Sequence, residues 1–95
     1  MEIENLTFKT EKEYKEFLDY LFSIRDIEYR DFNTKIIIPV DSEIIGIRTP
    51  ILRDIAKKIA KTSSENFLNL FEKLFIKKKI KYYEEKVLYG FLIGY

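Results

Sequence analysis

The chain has 95 residues, enough for one small domain and too few for two independent cores. It contains no Cys and no His, which excludes disulfides, thiolate or imidazole metal sites, and catalysis by either side chain. The formal net charge of +1 divides into −4 over residues 1–32 and +5 over residues 33–95, so the second part suits a polyanionic partner.

Nothing in the sequence indicates a membrane or secretion segment. No apolar run approaches the roughly 20 residues that span a bilayer. The first residues are acidic, whereas a signal peptide begins with basic residues followed by an apolar run. We therefore expect a soluble, cytoplasmic protein with no membrane partner.

The first strong helical pattern begins at a capping box. Thr10 and Glu13 have the spacing at which each side chain accepts the other's backbone N–H. Apolar residues then recur at helical spacing, which predicts a buried face. These residues are Tyr14, Phe17, Leu18, Leu21 and Phe22.

A second helix is predicted over about residues 27–37. Pro39 ends it, because proline has no N–H to donate and restricts the residue before it. Residues 41–43 indicate a turn, and Gly46 allows a backbone conformation that other residues resist. The apolar residues expected to be buried are Tyr29, Phe32 and Ile36.

The third helix is predicted to begin with Thr49 as its N-cap and Pro50 in its first position, and to reach about Lys61. Residues 62–65 form a second capping box, which predicts the start of a fourth helix. The inner face of the third helix is predicted to contain Leu52, Ile55, Ala56, Ile59 and Ala60. That of the fourth is predicted to contain Phe67, Leu68, Phe71, Leu74 and Phe75.

A fifth helix is predicted from about Tyr82, after the basic connector of residues 77–81. Its inward-facing residues are predicted to be Tyr83, Val87, Leu88, Phe91, Leu92 and Tyr95. The pattern ends without the polar capping helix that a terminal repeat normally needs. We therefore expect a truncated chain, the N-terminal part of a longer array.

These elements predict one all-α domain over residues 1–95 with about five helices. Strand-like alternation is limited to the short run Ile36-Ile37-Ile38. Short links between helices favour antiparallel neighbours, and ordered helix pairs of this length are typical of HEAT-like repeats stacked into an α-solenoid.

The third helix also carries a stripe of positive charge. Arg53, Lys57 and Lys61 are four residues apart, where like charges cost a few tenths of a kcal/mol per pair, so folding gives no reason for the arrangement. Arg48 extends the stripe. It is typical of an edge that contacts nucleic-acid phosphates. The alternative is a solvated lysine face near a helix C-terminus, where cations are favoured.

No catalytic residue, metal site or cofactor is predicted. Glu84 and Glu85 are adjacent on a helix, so they point in different directions and cannot flank one bond as a glycosidase pair does. Ser63 and Ser64 have no neighbouring base, and the sequence contains no glycine-rich phosphate loop.

Two stretches resemble the DNA alkylation repair family, the AlkD-like HEAT-repeat DNA glycosylases. Residues 29–57, apart from 40–43, resemble the family's opening, and residues 82–95 resemble its next helix. The match spans about Phe17 to Tyr95. The most specific part of the match is Ile45-Gly46-Ile47-Arg48-Thr49-Pro50 in combination with the downstream pair Glu84 and Glu85.

The resemblance implies a curved helical stack whose concave, basic face holds double-stranded DNA. The family hydrolyses the N-glycosidic bond of positively charged alkylpurines such as 3-methyladenine and 7-methylguanine, without a cofactor. Its catalytic aspartate and tryptophans lie in a later repeat, and this chain has no Trp. The chain is therefore expected to contribute to DNA binding and to be inactive alone. The residues expected to line the DNA face are Lys35, Arg48, Arg53 and Lys57. The alternative is that some of them form salt bridges within the protein.

Two other interpretations remain open. A stand-alone helical module without enzymatic activity would bind another protein, or self-associate, through the apolar helix face between Phe91 and Tyr95. A non-catalytic relative of the glycosylases would keep the basic groove and bind DNA without performing the reaction.

Overall fold

The computed structural model describes residues 3–36 and 43–94, with only the backbone described for residues 33–36. Within these ranges the fold is all-α, which confirms the prediction of about five helices. A short 3-10 turn, Ile3–Asn5, precedes them. The helices are α1 (Glu11–Ser23), α2 (Ile27–Ile36), α3 (Thr49–Thr62), α4 (Ser64–Ile76) and α5 (Tyr83–Ile93). The pairing of these helices into solenoid repeats stays a prediction.

The start of α1 follows its sequence pattern only in part. The Thr10 hydroxyl accepts the N–H of Glu13 at 3.2 Å, as predicted. The Glu13 carboxylate accepts instead from the N–H groups of Thr7 and Lys9, at 2.9 and 3.3 Å. Glu13 therefore fixes the segment before the helix, and its bonds from Thr7 are the largest cause of its lowered pKa.

The junction of α3 and α4 differs from the prediction. Arg48 is the N-cap of α3, one residue before the predicted Thr49. The predicted capping box over residues 62–65 is wrong, because the N-cap of α4, Ser63, accepts no side-chain cap bond. Ser63 also ends α3, and its N–H donates to the carbonyl of Ile59 at 2.8 Å. Ser63 is thus both the C-cap of α3 and the N-cap of α4, since α4 begins at the next residue.

The core is built from aromatic rings between α1 and α4 and from aliphatic side chains between α3 and α5. Phe8, Phe17 and Phe67 meet edge to face, with ring centroids 5.0 to 6.1 Å apart. Such ring pairs stabilise a core beyond the area that they bury. Buried side chains of α3 and α5 complete the same core. They include Leu52, Ile55, Ile59, Leu88 and Leu92.

Two residues predicted as buried are exposed. Phe32 is 63% exposed, because α2 is held against the protein near its start, where the backbone N–H of Asp26 donates to the carbonyl of Gly46. Phe75 is 57% exposed and stacks on Phe71 at 6.2 Å, at the outer end of a row of rings on α4. The predictions for Pro39, residues 41–42, Tyr95 and the side chain of Ile36 lie outside the described part.

Candidate nucleic-acid interface

The basic edge, defined here as Arg53, Lys57 and Lys61, lies on the outer face of α3. All three side chains are exposed, while the opposite face of the helix is buried in the core. Among the described residues, none of the three has a carboxylate within ion-pair distance. The guanidinium carbon of Arg53 lies 5.5 Å from the ring centroid of Phe91. These cations are available to an external anion.

Arg48, just before α3, is held within the protein. Its guanidinium donates to the carboxylate of Asp26 at 3.2 Å and lies 4.8 Å from the ring centroid of Tyr29. The side chain is still 58% exposed. The pKa of Asp26 is lowered, chiefly by the N–H of Tyr29 and then by Arg48. Arg48 therefore has one acidic partner already, unlike the basic edge.

The remaining predicted position and the neighbouring charges complete the surface. Lys35 lies on α2, but its side chain is outside the described part of the structure. Lys58, on the flank of α3, pairs with Asp54 at 3.5 Å. The acidic helix α1 does not neutralise the basic edge; its Glu11 pairs with Lys79 at 3.2 Å.

The segment 43–48, which leads into α3, is held by the buried carboxylate of Glu84. One carboxylate oxygen accepts the N–H of Ile45 at 2.9 Å, and the other accepts those of Gly46 and Ile47 at 2.8 and 3.1 Å. A buried carboxylate is tolerated only when it is paired or fully hydrogen-bonded, and three charge-assisted bonds meet that need here. Glu84 therefore fixes the backbone that places Arg48 and the start of α3.

Gly46 is required at the centre of this segment. Its φ is +111°, a region that side chains rarely adopt, and a Cβ atom here would lie 2.6 Å from the carbonyl oxygen of Asp26. The close approach allows the N–H of Asp26 to donate to the Gly46 carbonyl at 2.8 Å. At its other end, the segment exchanges backbone bonds with the start of α5: Glu43 donates to Lys81 and accepts from Tyr83. The segment thus joins the starts of α2, α3 and α5.

Glu85 points the other way, into the core. Its carboxylate accepts the hydroxyl of Tyr14 and the N–H groups of Tyr82 and Lys81. Burial raises the pKa of Glu85 despite these donors, and burial together with the Glu85 charge raises the pKa of the Tyr14 hydroxyl. The prediction that Glu84 and Glu85 point in different directions is confirmed. Sequence reasoning weighed them only as catalytic groups and missed their shared role of joining α5 to distant segments.

The comparisons with known proteins add no assignment. No family model matches the chain, and no curated protein or solved structure matches it at a significant level. Within residues 3–36 and 43–94, no group of three or more acidic side chains is placed to hold a metal ion. In the same ranges, none of the helices combines the length and the apolar character needed to cross a membrane.

Proposed function

We propose that this chain binds double-stranded DNA through the basic edge, as the non-catalytic helical segment of a cytoplasmic DNA alkylation repair protein. The observation that carries the proposal is three exposed cations on successive turns of one helix, without a carboxylate partner among the described residues. Eight residues of helix extend about 12 Å. One strand of a duplex presents three to four phosphates over roughly that length, because its phosphates are spaced about 3.4 Å apart along the helix axis.

The sequence resemblance supports the class of DNA chemistry. Residues 44–48 and Glu84, which hold the start of α3, belong to the stretches that resemble the AlkD-like glycosylases. In that family the whole protein releases positively charged alkylpurines by N-glycosidic hydrolysis. We assign DNA binding to this chain and no step of the reaction, because the part of the chain that the structure describes offers no pair of groups suited to that hydrolysis.

The salt dependence of DNA binding tests the proposal. Anisotropy of a labelled short duplex is measured against the chain between about 50 and 200 mM salt. For each phosphate contact, the logarithm of the affinity falls by about 0.9 per tenfold rise in salt concentration. Three contacts predict a slope of about −3 against the logarithm of salt concentration. Absence of saturable binding at the lowest salt, or a slope near zero, contradicts the proposal.

A second candidate function, a protein-interaction module, is favoured by an apolar groove between α4 and α5. The groove has a volume of about 460 Å³ and is lined by Phe71, Glu72, Phe75, Ile76, Lys86 and Tyr89. Ile76 is 79% exposed and Ile93 61% exposed, whereas Leu92 is buried. The exposed apolar surface therefore centres on the end of α4 and only partly on the predicted face after Phe91.

Sedimentation velocity over a range of protein concentrations tests this second candidate. A mass that rises with concentration, and that returns to one chain in Ile76→Glu, supports a self-association module. A single-chain mass at all concentrations opposes self-association through this groove.

A further inference from the structure

A second groove opens beside the basic edge, where residues of α2, α3 and α5 meet. Its volume is about 310 Å³, at the lower end of the range of small-ligand sites. Three aromatic rings and the guanidinium of Arg53 contribute to its walls. The residues lining this aromatic groove are Tyr29, Ile44, Ile47, Thr49, Leu52, Arg53, Tyr83, Glu84, Val87 and Phe91.

The aromatic groove contains polar groups that accept or donate no hydrogen bond among the described residues. Within the described part of the chain, the hydroxyls of Tyr29, Thr49 and Tyr83 make no hydrogen bond, and the Arg53 guanidinium makes none either. Glu84 differs from them, because its carboxylate already accepts three backbone N–H groups. Apolar walls with a few unsatisfied polar groups are the usual composition of a ligand site.

We propose that the aromatic groove binds one unpaired nucleotide, with its base against the rings and its phosphate on Arg53. This inference rests on the proposed function and names a second element of the same DNA surface. Bases stack on aromatic side chains and on arginine regardless of sequence, and hydroxyls hydrogen-bond to exposed base edges. The planar guanidinium of Arg53 presents paired donors that match a phosphate.

The charges around the rings favour an anionic, aromatic ligand over other classes. Arg48 lies against Tyr29 and Arg53 against Phe91, so two of the three rings already have a cation beside them. A cationic ligand would meet both arginines. A purely apolar ligand would leave three hydroxyls and a guanidinium without partners, which carries a desolvation cost. A nucleotide provides both the flat apolar face and the negative charge.

Fluorescence of 2-aminopurine in a single-nucleotide bulge tests the inference. Two duplexes of the same length are compared, one with the probe unpaired in the bulge and one with the probe paired. We expect the bulged duplex to bind about tenfold more tightly, with quenching of the probe as it stacks. Adenosine monophosphate, titrated alone, distinguishes a free mononucleotide from a nucleotide within a strand.

Two tyrosines of α5 provide a matched pair of variants. Tyr83→Leu removes a ring from the aromatic groove, whereas Tyr89→Leu makes the same change in the α4–α5 groove. We expect Tyr83→Leu to abolish the preference for the bulge and to leave paired-duplex affinity unchanged, and Tyr89→Leu to keep both. Val87→Phe fills the aromatic groove while it keeps every ring, so it tests the site even if Tyr83→Leu folds poorly.

The outcomes separate the two proposals. In the first outcome, the paired duplex binds with the expected salt slope, but Tyr83→Leu and Val87→Phe change neither the affinity for the bulged duplex nor that for adenosine monophosphate. The nucleotide site is then refuted, and DNA binding by the basic edge is supported. If the paired duplex does not bind but adenosine monophosphate binds in a Tyr83-dependent way, the proposed function fails and the groove is a free mononucleotide site.

Discussion

The segment 43–48 and the basic edge are neighbours in the chain, yet they satisfy their charges in opposite ways. Around the first, the buried carboxylate of Glu84 accepts three backbone N–H groups. On the second, Arg53, Lys57 and Lys61 stand exposed, and no carboxylate among the described residues pairs with them. Glu84 and Glu85, whose spacing already argued against a catalytic pair, are thus structural. The exposed cations of the basic edge are the part that folding leaves unexplained.

This contrast separates two kinds of variant. Changes around Glu84 remove a partner from buried polar groups, so they lower the free energy of unfolding, and they disturb the start of α3 as a consequence. Changes on the basic edge remove exposed charges that contribute almost nothing to stability. They should therefore alter DNA binding alone.

The largest expected effect is that of Glu84→Ala. The change leaves three buried N–H groups without an acceptor, at about 1–3 kcal/mol for each unsatisfied group, so we expect a loss of at least about 3 kcal/mol. Urea unfolding followed by circular dichroism measures the change. Asp19→Ala, at an exposed position of α1, is the control and should stay within about 0.5 kcal/mol. Similar losses in both variants would mean that Glu84 does not hold the segment.

The next largest effect is a change in stability of opposite sign when two glycines are replaced by alanine. Gly46→Ala forces a side chain into a positive-φ conformation and against the Asp26 carbonyl, and should cost about 1–3 kcal/mol or more. Gly90→Ala lies within α5 with no atom within 4 Å of the new Cβ, and should stabilise the protein by about 0.5–1 kcal/mol. Thermal unfolding of the two variants checks the signs. Equal shifts in the same direction would contradict the geometry described for the segment 43–48.

A smaller effect is expected in the pH dependence of stability. Burial raises the pKa of Glu85 in the folded protein above its value in the unfolded chain. The resulting contribution to the free energy of unfolding is therefore fully present below the unfolded pKa, and it is lost as the pH rises through the folded pKa. Glu85→Gln removes this dependence and leaves the other carboxylates in place. Wild type should therefore lose stability relative to Glu85→Gln as the pH rises from the unfolded pKa of Glu85 toward neutrality. Urea unfolding measures the difference in free energy of unfolding between the two proteins. A difference that stays constant or changes in the opposite direction would show that the pKa of Glu85 is not raised.

The helices were largely predictable from the sequence because each has a clear start and a repeating apolar face. Thr10 and Pro50 mark the starts of α1 and α3 to within one residue. Exposure was less predictable, since periodicity shows which face is apolar and does not show whether another element covers it. Phe32 and Phe75 have apolar spacing and remain exposed for this reason.

The candidate site divides in the same way. The alignment of Arg53, Lys57 and Lys61 follows from helical spacing alone, and the structure places all three on the exposed face of α3. The pairing of Arg48 with Asp26 and the bonds of Glu84 join residues 22 and 37 to 39 positions apart. No local pattern predicts contacts at such separations, which is why the structural role of Glu84 was missed.

The most direct test of the account is the Lys57→Gln/Lys61→Gln double variant, with Lys12→Gln/Lys15→Gln on exposed α1 positions as the matched control. Losing two phosphate contacts should reduce the magnitude of the salt slope of duplex DNA binding by about 2, while the free energy of unfolding stays within about 0.5 kcal/mol of wild type. The control should retain the wild-type slope. An unchanged slope in Lys57→Gln/Lys61→Gln, or an equal reduction in the control, would contradict a DNA-binding role for the basic edge.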